Sequence, residues 1–427
     1  MSDPEIIKTD VCIIGAGLAG LAATLFAVNR GLSCVEVGQT GEINFASGFL
    51  DLLGVHPAGE KHVWTDPWAG MEALVQDIPE HPYARLSRED IQTAFEEVLI
   101  FLRESGLPYH RRMNQNSGVL TSLGTRKPTY CVPHTVWNGI EALDKKPPCL
   151  LIDIRGLKGF SARQIAAALK SEWAGLRTAR ISFPDSDHLN EVFTERMASG
   201  LILPRNREKL ARTMRPLIKE AQIVGLPAIL GLFRTEEVLS DLQKLIGVPL
   251  FEIPSIPPSV PGLRLKEAFE RGLRTKGVQY LSQKRVLEVR HQANDYFEVA
   301  IGQTSVEQTV QSRGIILASG RFIGGGLRAD RKCIKETIFN LPVYQPENRV
   351  GWHRREFLDL RGHPVNRAGV EIDDSFRPLN ISRQPAFRTL FAVGSLLAHN
   401  DWKRLKCGAG VAIASAFGAV DSFLRLG

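Results

Sequence analysis

Residues 10–37, DVCIIGAGLAGLAATLFAVNRGLSCVEV, decide the fold. Asp10 to Ile14 reads as an apolar strand running into the glycine turn GAGLAG. Leu18 to Asn29 has helical composition, Gly31 closes the helix, and Leu32 to Val37 is the next strand. Gly15, Gly17 and Gly20 have the spacing G-x-G-x-x-G at the strand-to-helix junction. There the first glycine permits a tight turn, the second lets a phosphate approach the backbone, and the third lets helix pack on strand. The positive end of the helix then faces the phosphate, so the stretch predicts nucleotide binding on a βαβ unit.

An acid usually closes the second strand, about twenty residues on, and holds an adenosine ribose. That position is Gly38, and Glu36 lies two residues earlier, inside the strand. This departure weakens the case for an adenine dinucleotide and leaves room for a flavin mononucleotide. FMN is therefore the expected cofactor, with FAD as the alternative.

Three later segments favour flavin over nicotinamide. NFASGFLDLL at 44–53 has the small residues of a loop that runs along a ribityl chain, with Ser47 and Gly48 as contacts, although an ordinary turn before a helix has the same composition. A strand over 315–320 ends in LASG, placing Ser319 and Gly320 at its tip, and Gly324 to Gly326 follow. LFAVGS at 390–395 and CGAG at 407–410 supply Gly394, Ser395, Cys407 and Gly408 at the head of the last helix. A helix N-terminus there stabilises negative charge on a reduced flavin ring. Cys407 is read as a small residue tolerated against the ring rather than as a reactive thiol.

The remaining chain organises around this frame. Residues 1–55 with 255–427 are expected to form a Rossmann-type α/β domain of the FAD/NAD(P)-binding class, a parallel sheet covered by a β-meander near 284–311. Residues 56–254 are expected to be an inserted domain. Its β/α alternation between Cys149 and Gly231 predicts a second parallel sheet, and the Pro-rich stretch 254–261 ends it.

Of the 427 residues, 44% are hydrophobic and 23% charged, as in an ordinary globular protein. The N-terminus lacks a signal-peptide core, and no apolar run approaches the ~20 residues of a membrane span, which predicts a cytoplasmic protein. The six cysteines show no C-x-x-C spacing, so no metal or iron–sulfur site is expected. A net charge of +7 favours anionic partners, and no nucleic-acid motif accompanies it.

NFASGFLDLLG at 44–54, EHPY at 80–83, SIPPSVPGLRL at 255–265, LASGRFIGGGL at 317–327 and LFAVGSLLA at 390–398 together resemble the B subunit of the bacterial anaerobic glycerol-3-phosphate dehydrogenase. The resemblance spans nearly the whole chain and is faint across 110–250. It implies an FMN flavoprotein that works with an FAD-bearing A subunit and an iron–sulfur C subunit at the inner face of the cell membrane. Electrons from glycerol 3-phosphate would pass to menaquinone, yielding dihydroxyacetone phosphate. For that chemistry Arg126, Lys127 and Arg321 are candidates for the phosphate, Arg321 also for the flavin, and His134 is the candidate base. Two other readings stay open, an electron-relay and assembly role without its own substrate site, and a solitary flavin oxidase of another substrate.

Overall fold

A computed structural model describes residues 5–40, 42–186, 188–292 and 296–426. The chain divides into two compact units, one comprising Met1–Glu42, Asp51–Ile100 and Glu270–Gly427, the other Ile43–Leu50 and Phe101–Phe269.

The first unit is built on a seven-stranded sheet. Strand Glu5–Ala16 lies at its centre, parallel to Cys34–Thr40 on one side and to Val306–Leu317 on the other. Gln279–Ser282 extends the parallel layer beyond Cys34–Thr40. The meander is present as Arg285–His291 and Phe297–Gly302, antiparallel to each other. Its third strand differs from expectation. The sequence predicts two separate runs either side of residue 313, yet Val306–Leu317 is one continuous strand that pairs with Phe297–Gly302 along its first part and with Leu390–Ala392 at its end. Gly314 leaves room for Phe423 of the helix Gly408–Leu426 against this strand, because a Cβ there would meet the Phe423 ring at 2.6 Å.

Helix Leu18–Asn29 is apolar on nearly every side, and its residues from Ala19 to Ala27 are all buried. It packs on the final helix, Gly408–Leu426, where the Phe26 and Phe417 rings meet edge to face at 5.4 Å. At 19 residues that final helix is long and apolar enough to cross a membrane, but 67% of its apolar window is buried within the protein, as in a core helix.

The second unit has a four-stranded parallel sheet in the order Leu250–Ile253, Ile223–Pro227, Cys149–Ile154, Leu176–Ile181. Cys149–Ile154 falls where the alternation placed it. Helix Thr235–Ile246 and strand Leu250–Ile253 add a further α/β step beyond the alternation that ends at Gly231.

The unit boundaries differ from the expected division at 55 and 255 in three places. Residues 51–100 belong to the first unit: the Tyr83 hydroxyl donates to the Leu52 carbonyl at 2.5 Å, Gly410 N–H donates to the Asp51 carbonyl at 2.7 Å, and Arg30 pairs with Glu97 at 3.1 Å. Residues 43–50 belong to the second, where Leu50 bridges Cys131 and the Tyr109 hydroxyl donates to the Gly48 carbonyl at 2.6 Å. Residues 255–269 join them there, because Arg264 donates to the Glu252 carboxylate at 2.5 and 2.9 Å and to the Gly231 carbonyl at 2.6 Å. Both ends of that pair are almost fully buried.

Candidate functional site

The turn after the central strand has the geometry that its three glycines imply. Gly15 has φ +127°, and a Cβ there would sit 2.2 Å from the Ala318 carbonyl oxygen, so only glycine lets the two parallel strand ends lie this close. At Gly20 a Cβ would fall 1.8 Å from the Gly15 carbonyl oxygen, which is the close helix-on-strand approach. Gly17 is different: nothing lies within 4 Å of its Cβ position, and as N-cap of helix Leu18–Asn29 it provides no side-chain cap. The helix thus opens without a side-chain cap on its first-turn N–H groups, which is how a helix end receives phosphate.

The second strand explains what became of the ribose acid. At Gly38 a Cβ would meet the Ala16 nitrogen at 2.7 Å, and the strand continues past it to Thr40, paired with Ala16. Glu36 is not a displaced substitute. It is 2% exposed, accepts a hydrogen bond from the Thr24 hydroxyl at 2.9 Å, and burial pushes its carboxyl up to about 8.

Ser319 and Gly320 end strand Val306–Leu317, with Gly320 in the left-handed region at φ +69°. The Ser319 hydroxyl is buried and has no hydrogen-bond partner among the described residues. It is one of several buried hydroxyls left without a partner among those residues, and it lies at the turn that follows the strand. Gly326 packs over the turn, where a Cβ would meet the Gly320 carbonyl oxygen at 2.2 Å.

Arg321 follows, and its role is one the sequence does not reveal. It is 8% exposed and donates to the carbonyls of Ser395 at 2.5 Å, Leu397 at 3.0 Å and Asn400 at 2.9 Å, and to that of Asn366. Its guanidinium thus clamps the segment 394–400, which makes it a positioning residue for that turn rather than a cation held ready for substrate. Gly394, at φ +73°, is tied to the final helix by its N–H donating to the Ser415 hydroxyl at 2.9 Å.

At the head of that helix Cys407 is fully buried, and burial raises its thiol well above the usual range. Its Sγ donates to Asn400 Oδ1 at 3.4 Å, and the same oxygen lies 3.4 Å from His81 Nε2. Burial pulls His81 down to about 3, so that imidazole is neutral.

Within the second unit, Ser47 and Gly48 sit on a segment packed against the proline-rich block. A Cβ on Gly48, φ +74°, would meet Pro261 at 2.5 Å, and Ser259 N–H donates to the Asn44 carbonyl at 3.0 Å. Two of the blocks that carried the resemblance are therefore packed together. Lys127 lies over the Phe49 ring at 5.2 Å, and Arg126 is paired with Glu172 at 2.6 Å on the surface. His134 starts helix His134–Lys145 and shares a 2.5 Å contact with Glu236, which raises its pKa, while its ring lies 4.7 Å from His110. Burial, then the neighbouring His134, lowers His110.

The residues of the first unit fit a flavin: an open glycine cradle at an uncapped helix end, an orphaned serine hydroxyl at the second strand tip, and a clamped glycine turn beside the final helix. The class this defines is the flavin-binding oxidoreductase fold, and the sequence profile of the FAD binding domain family matches residues 10–411. The chain is 30% identical over 421 residues to the B subunit of anaerobic glycerol-3-phosphate dehydrogenase of Yersinia pestis, covering 96% of each chain. It is 27% identical over 431 residues to the protein of that name from Vibrio vulnificus, covering 99% of this chain and 97% of that one. The chain belongs to this B-subunit family within the FAD binding domain family. Among solved structures, 3-ketosteroid delta1-dehydrogenase from Sterolibacterium denitrificans is similar at 13% identity and a TM-score of 0.42, covering 98% of this chain and 100% of that one. The family description names FAD, so a flavin stands and the expected FMN does not gain support from it.

Proposed function

We propose that this chain is the flavoprotein subunit of an anaerobic glycerol-3-phosphate dehydrogenase, oxidising sn-glycerol 3-phosphate to dihydroxyacetone phosphate and passing electrons through partner subunits to a quinone. The observation that carries this reading is the near full-length likeness to the B subunits of that enzyme, joined to a glycine cradle that suits a nucleotide phosphate. A bound flavin would supply hydride acceptance. Gly15, Gly17 and Gly20 would admit its phosphate, Ser319 would donate to it, and Arg321 would hold the 394–400 turn in place. Partners bearing FAD and iron–sulfur centres, and a place at the cytoplasmic membrane face through them, belong to the same proposal.

The family description favours FAD as the cofactor. A second reading, FMN, is favoured by Gly38, where the ribose-holding acid is absent and backbone packing leaves no room for one. Acid release of the bound cofactor followed by chromatography separates the two.

His134 is the base candidate, since its contact with Glu236 forms the histidine–carboxylate couple that general bases use. The rival role is an electron relay without a substrate site. Anaerobic addition of glycerol 3-phosphate to the purified chain tests the choice: its visible flavin absorbance bleaches under the dehydrogenase reading and stays oxidised under the relay.

A further inference from the structure

A hollow of about 550 Å³ in the first unit is lined by Gly59, Tyr344, Arg354, Arg361, His363 and Arg367, with no carboxylate among its lining residues. That volume suits a small molecule, and its polar lining is almost wholly cationic. Each wall is fixed by backbone. Tyr344 and Gly369 exchange backbone hydrogen bonds at 2.8 and 3.1 Å, Arg354 Nε donates to the Gly362 carbonyl at 3.0 Å, and the Arg354 N–H donates to His363 Nδ1 at 3.1 Å. Arg361 is held by Asp359, at 3.0 and 2.7 Å. Arg367 is different. Its carbonyl accepts from His399 N–H at 2.9 Å, but its exposed guanidinium has no hydrogen-bond or ion-pair partner among the described residues.

Arg361 is already paired with Asp359, but Arg354 and Arg367 have no ion-pair partner among the described residues, and the planar forks of guanidinium groups match phosphate oxygens. An adjacent hollow of about 400 Å³ shares Arg354 and Arg361 but is also lined by Glu356 and Asp359, which disfavours an anion there. Arg367 follows Asn366, whose carbonyl is one of the four that Arg321 grips, so the cationic wall belongs to the same clamped backbone as the flavin signatures. Arg126 and Lys127, the cations singled out in the sequence, instead lie against Glu172 and the Phe49 ring.

We propose that this hollow binds the phosphate group of a small phosphate monoester through Arg354, Arg361 and Arg367, with Tyr344 among its lining residues. The inference rests on the glycerol 3-phosphate reading for the identity of the monoester, and on the hollow alone for the anion. Calorimetric titration of the purified, flavin-loaded chain with inorganic phosphate and with glycerol 3-phosphate tests it. The double variant Arg354→Gln/Arg367→Gln is expected to weaken both ligands by about tenfold or more, while Arg290→Gln, on a distant surface strand, leaves both unchanged. Arg367→Gln alone, at an exposed and unpaired side chain, gives the same direction of change should the double variant not fold. If phosphate binds through these arginines and glycerol 3-phosphate still fails to bleach the flavin, the site stands and the substrate reading fails. Absence of phosphate binding to the unaltered chain, unchanged binding in the variants, or loss on Lys127→Gln instead would overturn the site.

Discussion

The Thr24 hydroxyl, on the first helix's buried face, donates to the Glu36 carboxyl at 2.9 Å across the helix–strand interface. Thr24 is fully buried, Glu36 nearly so, and the other Glu36 oxygen has no hydrogen-bond partner among the described residues. Burial raises the carboxyl to about 8, with the Thr24 hydrogen bond opposing the shift and Glu270 adding to it. A folded-state pKa above the unfolded value means that the contribution to stability is fully present below the ordinary carboxylate range. It is lost as pH rises through about 8. Glu36→Gln is therefore expected to flatten the stability of the protein between mildly acidic and mildly alkaline pH, gaining on the order of a few kcal/mol at the alkaline end. Urea unfolding across that range checks it, and parallel profiles for the two proteins would contradict it.

Gly17 and Gly20 part company in the same turn. A methyl at Gly20 would overlap the Gly15 carbonyl, so Gly20→Ala is expected to cost about 1–3 kcal/mol of stability or prevent folding. At Gly17 a methyl meets no protein atom but fills the space a phosphate would take, so Gly17→Ala should fold normally and bind flavin roughly tenfold or more weakly. Thermal unfolding and flavin titration on the two variants separate these effects.

Arg321 is expected to matter through shape rather than chemistry. Replacing it by Lys leaves several buried carbonyls without donors, and a loss of about 2–5 kcal/mol with reduced flavin retention should follow. Activity per bound flavin should be nearly unchanged, whereas a substrate contact would show itself as a raised KM at full flavin content.

The Glu252–Arg264 pair ties the start of a helix to the second sheet. Burial alone would raise Glu252, but the Arg264 charge and hydrogen bonds together hold it below its ordinary value. Its contribution is present above the unfolded pKa and is lost as pH falls through the folded one. Arg264→Met is expected to cost about 3–5 kcal/mol, and Arg264→Met/Glu252→Leu less than the sum of the single changes. Additive losses in urea unfolding would show that the two side chains act independently.

Much of the fold is legible because glycine and apolar periodicity are local signals. The strand–turn–helix at 10–29, the meander near 284–311 and the strand Cys149–Ile154 all follow from residues close in sequence. What escapes depends on distant partners. Nothing near 56–100 announces that Tyr83 reaches Leu52, so local signals alone place that segment in the insertion. Arg321 reads as a substrate-facing cation because the carbonyls it grips lie 45 to 79 residues away. Gly38 is legible as a missing acid, while the burial that makes Glu36 neutral is not.

The flavin-to-protein ratio of the purified native chain tests whether a flavin phosphate rests at the helix opening after Gly17. Visible absorbance should report close to one flavin per chain, released intact by acid. A colourless chain that takes up neither FAD nor FMN when reconstituted would contradict the account.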